Sequence, residues 1–288
     1  IEGGGTKIVC ALADDAGRIV ERARIATTTS GETLAAVREF FASAAAAHGT
    51  IRAFGVGTFG PIGIDPCAPD YGVVGASPKP GWPGGNWVEA LASFGAPIEL
   101  DTDVNAAALA EAHAGAGQGC ATLAYTTVGT GIGMGLVHDG RSRTGFTHYE
   151  AGHMRAPRDR AADGFAGTCS YHGDCLEGLA SGSAIAARWG ESLSENADPG
   201  RIALIAGYLG HLAAVLVLLH APDRLIFGGG VMKAPGLLEA VRRAAEAELA
   251  GYVPDRRLDP GLERYIVGPA LGDDAGITGA ILLARRAL

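Results

Sequence analysis

The chain has 288 residues, 48% of them apolar and 19% charged, with a formal net charge of −8. That balance supports a full buried core in about two domains and excludes general disorder. No basic run occurs, so no nucleic acid is expected as a partner. The 45 glycines are about twice the usual share or more, which points to turns and close backbone approaches in a folded chain. Five scattered cysteines and no signal-peptide pattern make a reduced cytoplasm the expected location. The first residue, Ile1, is not a methionine, so preceding residues are expected.

In chain order, Lys7–Leu12 and Arg18–Ile25 read as a hairpin about an Asp14–Gly17 turn. Thr33–Ala47 has helical spacing, with Leu34, Val37, Phe40 and Phe41 on one side. Phe54–Thr58 and Pro97–Leu100 read as strands, and residues 63–87 between them as one long loop, a kind usually functional. Asn105–Ala114 reads as a helix, and Thr122–Val128 with Gly133–Val137 as a second hairpin. A polar region bearing Cys and His spans 145–178. Ile202–Pro222 lacks formal charge, but Gly207, Tyr208, Gly210, His211 and His220 interrupt it. A buried helix is therefore expected there, and no membrane span. A strand at Arg224–Phe227, a triple glycine, and helices at 236–250 and 274–287 complete the chain. The hairpin over 3–22 is echoed in kind at 121–140. Two α/β halves built alike, each bringing a glycine turn to a cleft, would suit a nucleotide.

Five short patterns could carry chemistry. Gly3, Gly4, Gly5, Thr6 and Lys7 offer backbone amides, a hydroxyl and an ammonium to phosphate oxygens, though the turn could equally be structural. Thr127, Gly129, Thr130, Gly131 and Gly133 repeat that chemistry after a strand. Gly228, Gly229 and Gly230 would let a flat adenine ring pass close to the backbone. Asp103 sits where a strand meets a helix, either as a helix cap or as the carboxylate that phosphoryl transfer to a hydroxyl requires. Cys169, His172 and Cys175 fall within seven residues, with His153 upstream, and suit a closed, structural tetrahedral zinc. A Cys169–Cys175 disulfide or free thiols are the other readings. Glu150 and Glu177 flank that loop as candidate acceptors for sugar hydroxyls.

In this order the motifs resemble the ROK family of sugar kinases, over the whole chain. Gly3–Lys7 matches the family's first phosphate motif, Asp103-Val104-Asn105 its catalytic motif, and Gly129–Gly133 its second phosphate motif. Glu150–His153 matches its Glu-x-Gly-His signature, and Gly228–Gly230 its adenosine motif. Ser77–Pro83, Asp101–Asn105 and Cys169–Gly182 are similar to the bacterial fructokinase branch. Thr102 stands where glucokinase-type members carry Asn, and His172 where they use a third Cys.

The resemblance implies an α/β, two-lobed actin/hexokinase-like (ribonuclease H-like) fold with nucleotide and sugar in the interlobe cleft. The expected lobes are 1–114 with 274–288, and 115–273 carrying the zinc loop. It also implies ATP-dependent phosphorylation of D-fructose at O6, with Mg2+, structural Zn2+ and Asp103 as general base. Thr102, Asp103, Asn105, Glu150, His153 and Glu177 would meet the sugar, and His153 would also hold zinc with Cys169, His172 and Cys175. A homodimer is the expected assembly. A kinase for glucose, mannose or an amino sugar, and a sugar-sensing protein without turnover, are the alternatives. An intact Asp103 speaks against the sensor.

Overall fold

The computed structural model describes residues 1–77, 79–258 and 261–288. Pro78, within the Ser77–Pro83 segment, therefore lies outside the described residues. The described chain divides into two compact units, 1–110 with 144–148 and 273–288, and 111–143 with 149–272.

In the first unit the opening pattern is more than a hairpin. β1 (Glu2–Gly3), β2 (Lys7–Ala13) and β3 (Ile19–Ala26) form an antiparallel run, with the glycine turn between β1 and β2. Helix α1 (Ser30–His48) starts three residues before the expected Thr33, because Thr29 Oγ1 accepts the Glu32 amide as an N-cap. Strand β4 (Phe54–Thr58) is buried at all five positions and pairs in parallel with β1. Burial on both faces accounts for its unbroken small and apolar sequence. The long loop after β4 is pinned by a bridge of Ile62 to Val74 and by Trp82, whose indole N–H donates to the Thr28 carbonyl at 2.8 Å. It ends in a helix the sequence reading did not expect, α2 (Trp87–Leu91), capped by Asn86. Strand β5 (Ile98–Thr102) and helix α3 (Asp103–Ala114) meet without a loop, so the strand runs two residues further than expected and the helix begins two residues earlier. The sheet order is β3-β2-β1-β4-β5.

The second unit repeats this plan. β6 (Thr122–Val128), β7 (Ile132–His138) and β8 (Arg141–Ser142) are antiparallel, with a glycine turn between β6 and β7. Two further helices were not expected, α4 (Leu176–Ala180), which takes in the end of the polar region, and α5 (Gly182–Trp189), which follows it. Helix α6 (Pro199–His220) is capped by Asp198 and starts with Pro199, whose missing N–H costs nothing in a first turn. It is long and apolar enough to cross a membrane, yet most of it is buried in the unit. After β9 (Arg224–Gly228), helix α7 (Leu237–Leu249) starts one residue later than expected, since Gly236 adopts φ 75°. Gly210 of α6 packs against Ala244 of α7 so tightly that a Cβ would come within 2.5 Å of the alanine methyl. Strand β10 (Ile266–Val267) completes the order β10-β9-β6-β7-β8. Read from the other edge, this is the first sheet's sequence of antiparallel and parallel neighbours. The echo of hairpins in the sequence is thus a repeated sheet topology. The chain ends in α8 (Ala275–Arg286), which belongs to the first unit and packs on β4.

Candidate active site

The β5–α3 junction gathers the first group of polar residues. Asp101 is buried, and its Oδ1 accepts the Thr102 amide at 2.8 Å and the Asn105 side-chain amide at 2.6 Å. Thr102, expected beside a sugar, is 4% exposed, and its hydroxyl accepts the Asn105 amide at 3.2 Å. Asn105 Oδ1 is buried without a hydrogen-bond partner among the described residues. Asp103 keeps partial exposure at the helix start. Burial pushes its carboxyl up from 3.8 to about 6; the Val104 amide at 2.8 Å works against that, and the charge of Glu2 adds to it. Half of this arrangement was legible in the sequence. Asp101 was missed as an organiser, because an acid beside a catalytic candidate carries no local signal of burial.

The turn between β1 and β2 is shaped by its glycines unequally. A Cβ on Gly3 would collide with Thr58 Oγ1, and one on Gly4 would come within 2.8 Å of the Lys7 carbonyl, whereas Gly5 faces open space. The Lys79 ammonium donates to the Gly5 carbonyl. Glu2 also belongs to this group, although the sequence reading gave it no role. Burial raises its carboxyl, against the pull of Lys7, and its Oε2 is buried without a partner among the described residues.

In the second unit, His153, Cys169, His172 and Cys175 converge, with one ligand atom of each within 4.8 Å of the others. Tetrahedral ligation with Zn–S of about 2.3 Å and Zn–N of about 2.1 Å would set neighbouring N and S atoms about 3.6 Å apart. Here His153 Nδ1 is 3.6 Å from both sulfurs, and His172 Nδ1 is 3.7 Å from Cys169 Sγ. Both cysteines are free thiols, so the disulfide reading falls. The donor set fits a tetrahedral cation. Asp174, inside the same loop, takes Arg155, Arg158 and Arg160 and anchors it, a role the spacing did not announce.

The other ring nitrogen of His153 faces the opposite way. Its Nε2 is 4.0 Å from Glu150 Oε2 and 4.0 Å from Glu177 Oε1. One imidazole therefore joins the Cys/His cluster to a pair of carboxylates, Glu150 exposed and Glu177 half-buried. In the β6–β7 turn, Gly129 donates to the Gly131 carbonyl at 2.9 Å, and the Thr130 carbonyl accepts Ser183 Oγ at 2.9 Å. Thr127 and Gly133 pair across the strands beside it. In the triple glycine, Gly228 abuts the Tyr125 hydroxyl, and Gly229 adopts φ 94° against the Val128 backbone. Only Gly230 of the three faces open space. The first two are required by packing, whatever they also bind.

Comparison with known proteins places these groups in a family. The ROK family model matches residues 1–287, and the chain belongs to that family. It is 44% identical to a fructokinase of Zymomonas mobilis, over 100% of this chain and 96% of that protein. Among solved structures it is similar to a ROK hexokinase from Thermus thermophilus, with a TM-score of 0.78 at 30% identity, covering 98% of this chain and 96% of that one. It is also similar to a ROK family glucokinase from Streptomyces griseus in complex with glucose and AMPPNP, with a TM-score of 0.70 at 26% identity, covering 98% and 97%.

Proposed function

We propose that this chain is an ATP-dependent fructokinase that transfers the γ-phosphoryl group to O6 of D-fructose. Full-length identity of 44% to a fructokinase supports the substrate. The observation that carries the chemistry is Asp103, a partly exposed carboxylate at the start of α3 with its carboxyl raised to about 6. At neutral pH such a group is mostly ionised, yet it is basic enough to accept a proton from an attacking hydroxyl. As the O6–phosphorus bond forms, the O6 proton passes to Asp103, and the bond from the γ-phosphorus to the bridging oxygen breaks to release ADP.

Asn105 offers its unpartnered Oδ1 to a sugar hydroxyl, and Glu150, His153 and Glu177 offer further contacts. Phosphates are assigned to Gly3–Lys7 and Thr127–Gly133, and adenosine to Gly228–Gly230. Bound magnesium would neutralise phosphate charge, and the unpartnered Oε2 of Glu2 fits a group that faces it. The cluster of His153, Cys169, His172 and Cys175 is assigned to structural zinc, which would brace the loop bearing Glu177. Location in the cytoplasm and assembly as a homodimer complete the proposal.

A coupled ADP-release assay across fructose, glucose, mannose and N-acetylglucosamine tests the reading. Fructose should give the highest kcat/KM. A ratio favouring another hexose would keep the kinase and overturn the substrate, and no ADP release with any sugar would overturn both.

A further inference from the structure

Glu177 has two ends that do different things. It lies in the first turn of α4, two residues after Cys175. Its Oε2 accepts the amide of Ile132, the residue that follows the β6–β7 glycine turn, at 2.9 Å. Its Oε1 faces His153 Nε2 at 4.0 Å, and the same imidazole presents Nδ1 to Cys169 and Cys175. Gly131 makes this reach possible, since a Cβ there would sit 2.5 Å from Glu177 Oε2.

The segment that carries Glu177 holds the turn at two more points. The Gly182 amide donates to the Gly129 carbonyl at 2.6 Å, and Ser183 Oγ donates to the Thr130 carbonyl at 2.9 Å. Of these three contacts, the one from Glu177 is charged, and its other oxygen is turned to the side of the unit that bears His153 and Glu150. A hydrogen bond holds the backbone group it meets within a narrow range of distance and angle, so the reach of this side chain sets where the Ile132 amide lies.

We propose that Glu177 is a positioning residue for the nucleotide as well as a sugar contact. It sets the β6–β7 turn through the Ile132 amide, and so links nucleotide affinity to the loop that meets the sugar. The inference rests on the assignment of that turn to phosphate. By linkage, whatever a sugar hydroxyl does at Oε1 to stabilise this setting is returned as tighter nucleotide binding, and the reverse.

Two variants separate reach from charge. Glu177→Gln keeps the length and an acceptor oxygen for Ile132 but loses the charge. Glu177→Asp keeps the charge but falls one methylene short. Glu177 is partly exposed, so neither change disturbs a core. Affinity for magnesium AMPPNP is measured by calorimetry without sugar, where a residue that only touches sugar has no effect. Glu177→Gln should stay within about threefold of the parent and Glu177→Asp should weaken binding about tenfold, which corresponds to about 1.4 kcal/mol. Fructose affinity should fall in both. Parent-like nucleotide affinity in Glu177→Asp, or an equal loss in both variants, overturns the inference. A parent that fails to bind the analogue overturns the phosphate assignment, and the inference with it.

Discussion

Gly279 of α8 lies directly on the Ala106 carbonyl of α3, so closely that a Cβ would overlap the carbonyl group. On its other flank α8 meets Gly55 of β4, where a Cβ would collide with the backbone of Ala280 and Ala284. The last helix is therefore seated by missing side chains. Gly279→Ala should push α8 off α3 and lower stability by about 3 kcal/mol, at the upper end of overpacking effects. Gly207, in the helical middle of α6, has open space around its Cα and serves as the control. Gly207→Ala should be neutral or stabilising by up to about 1 kcal/mol, by helix propensity. Urea unfolding of the two variants checks the contrast.

The carboxyl of Asp103, raised to about 6, sets the acid limb of the proposed reaction. A base works only when deprotonated, and a raised value means that protonation sets in at a higher pH than for an ordinary aspartate. The kcat/KM for fructose should therefore hold above about pH 7 and fall roughly tenfold per unit below about 6. Asp103→Asn should lower kcat by about 10²–10⁴ and leave sugar binding in place. A profile flat to pH 5, or turnover within threefold of the parent in the Asn variant, would exclude Asp103 as the base.

Asn105 spends its amide N–H on Asp101 and leaves Oδ1 without a partner among the described residues. Asn105→Ala should raise the KM for fructose by about 10-fold to 100-fold, the equivalent of one lost hydrogen bond to a buried partner, and change kcat less. Thr102→Val keeps the volume but removes the hydroxyl that accepts the Asn105 amide. It should cost about 1 kcal/mol in stability, the usual effect of losing an N-cap. Steady-state kinetics of the first variant and thermal unfolding of the second read these out.

Removal of the proposed zinc should act on both stability and sugar. Elemental analysis of protein purified without chelators should find about one zinc per chain, and Cys169→Ser should bring it below half an equivalent. Loss of a closed site releases the loop between His153 and Cys175, so the unfolding midpoint should drop by several degrees, about 2–4 °C for each kcal/mol lost. Fructose KM should rise in step, because His153 carries both the cysteine-facing Nδ1 and the carboxylate-facing Nε2. A metal-free parent with full activity would refute the assignment.

Where contacts are local, the residue order alone was enough. Phe54–Thr58 reads as a buried strand because every residue is apolar, small or β-prone, and it forms one. Cys169, His172 and Cys175 lie within seven residues, so the chain between them can hardly keep them apart, and they converge. Asp103 reads as a strand–helix junction because the strand pattern ends at Leu100 and the alanine-rich helix pattern begins at Asn105, and α3 starts at Asp103 itself. Contacts between distant segments escaped that reading. The short strand β1 that lies between β2 and β4 and the seat of α8 on Gly55 and Gly279 depend on residues far apart in sequence. Periodicity reports which face of an element is apolar, but not which partner covers it. That partner was selected by close packing, in which a glycine at the crossing point is as decisive as a side chain, and only the assembled backbone shows where the crossing points fall.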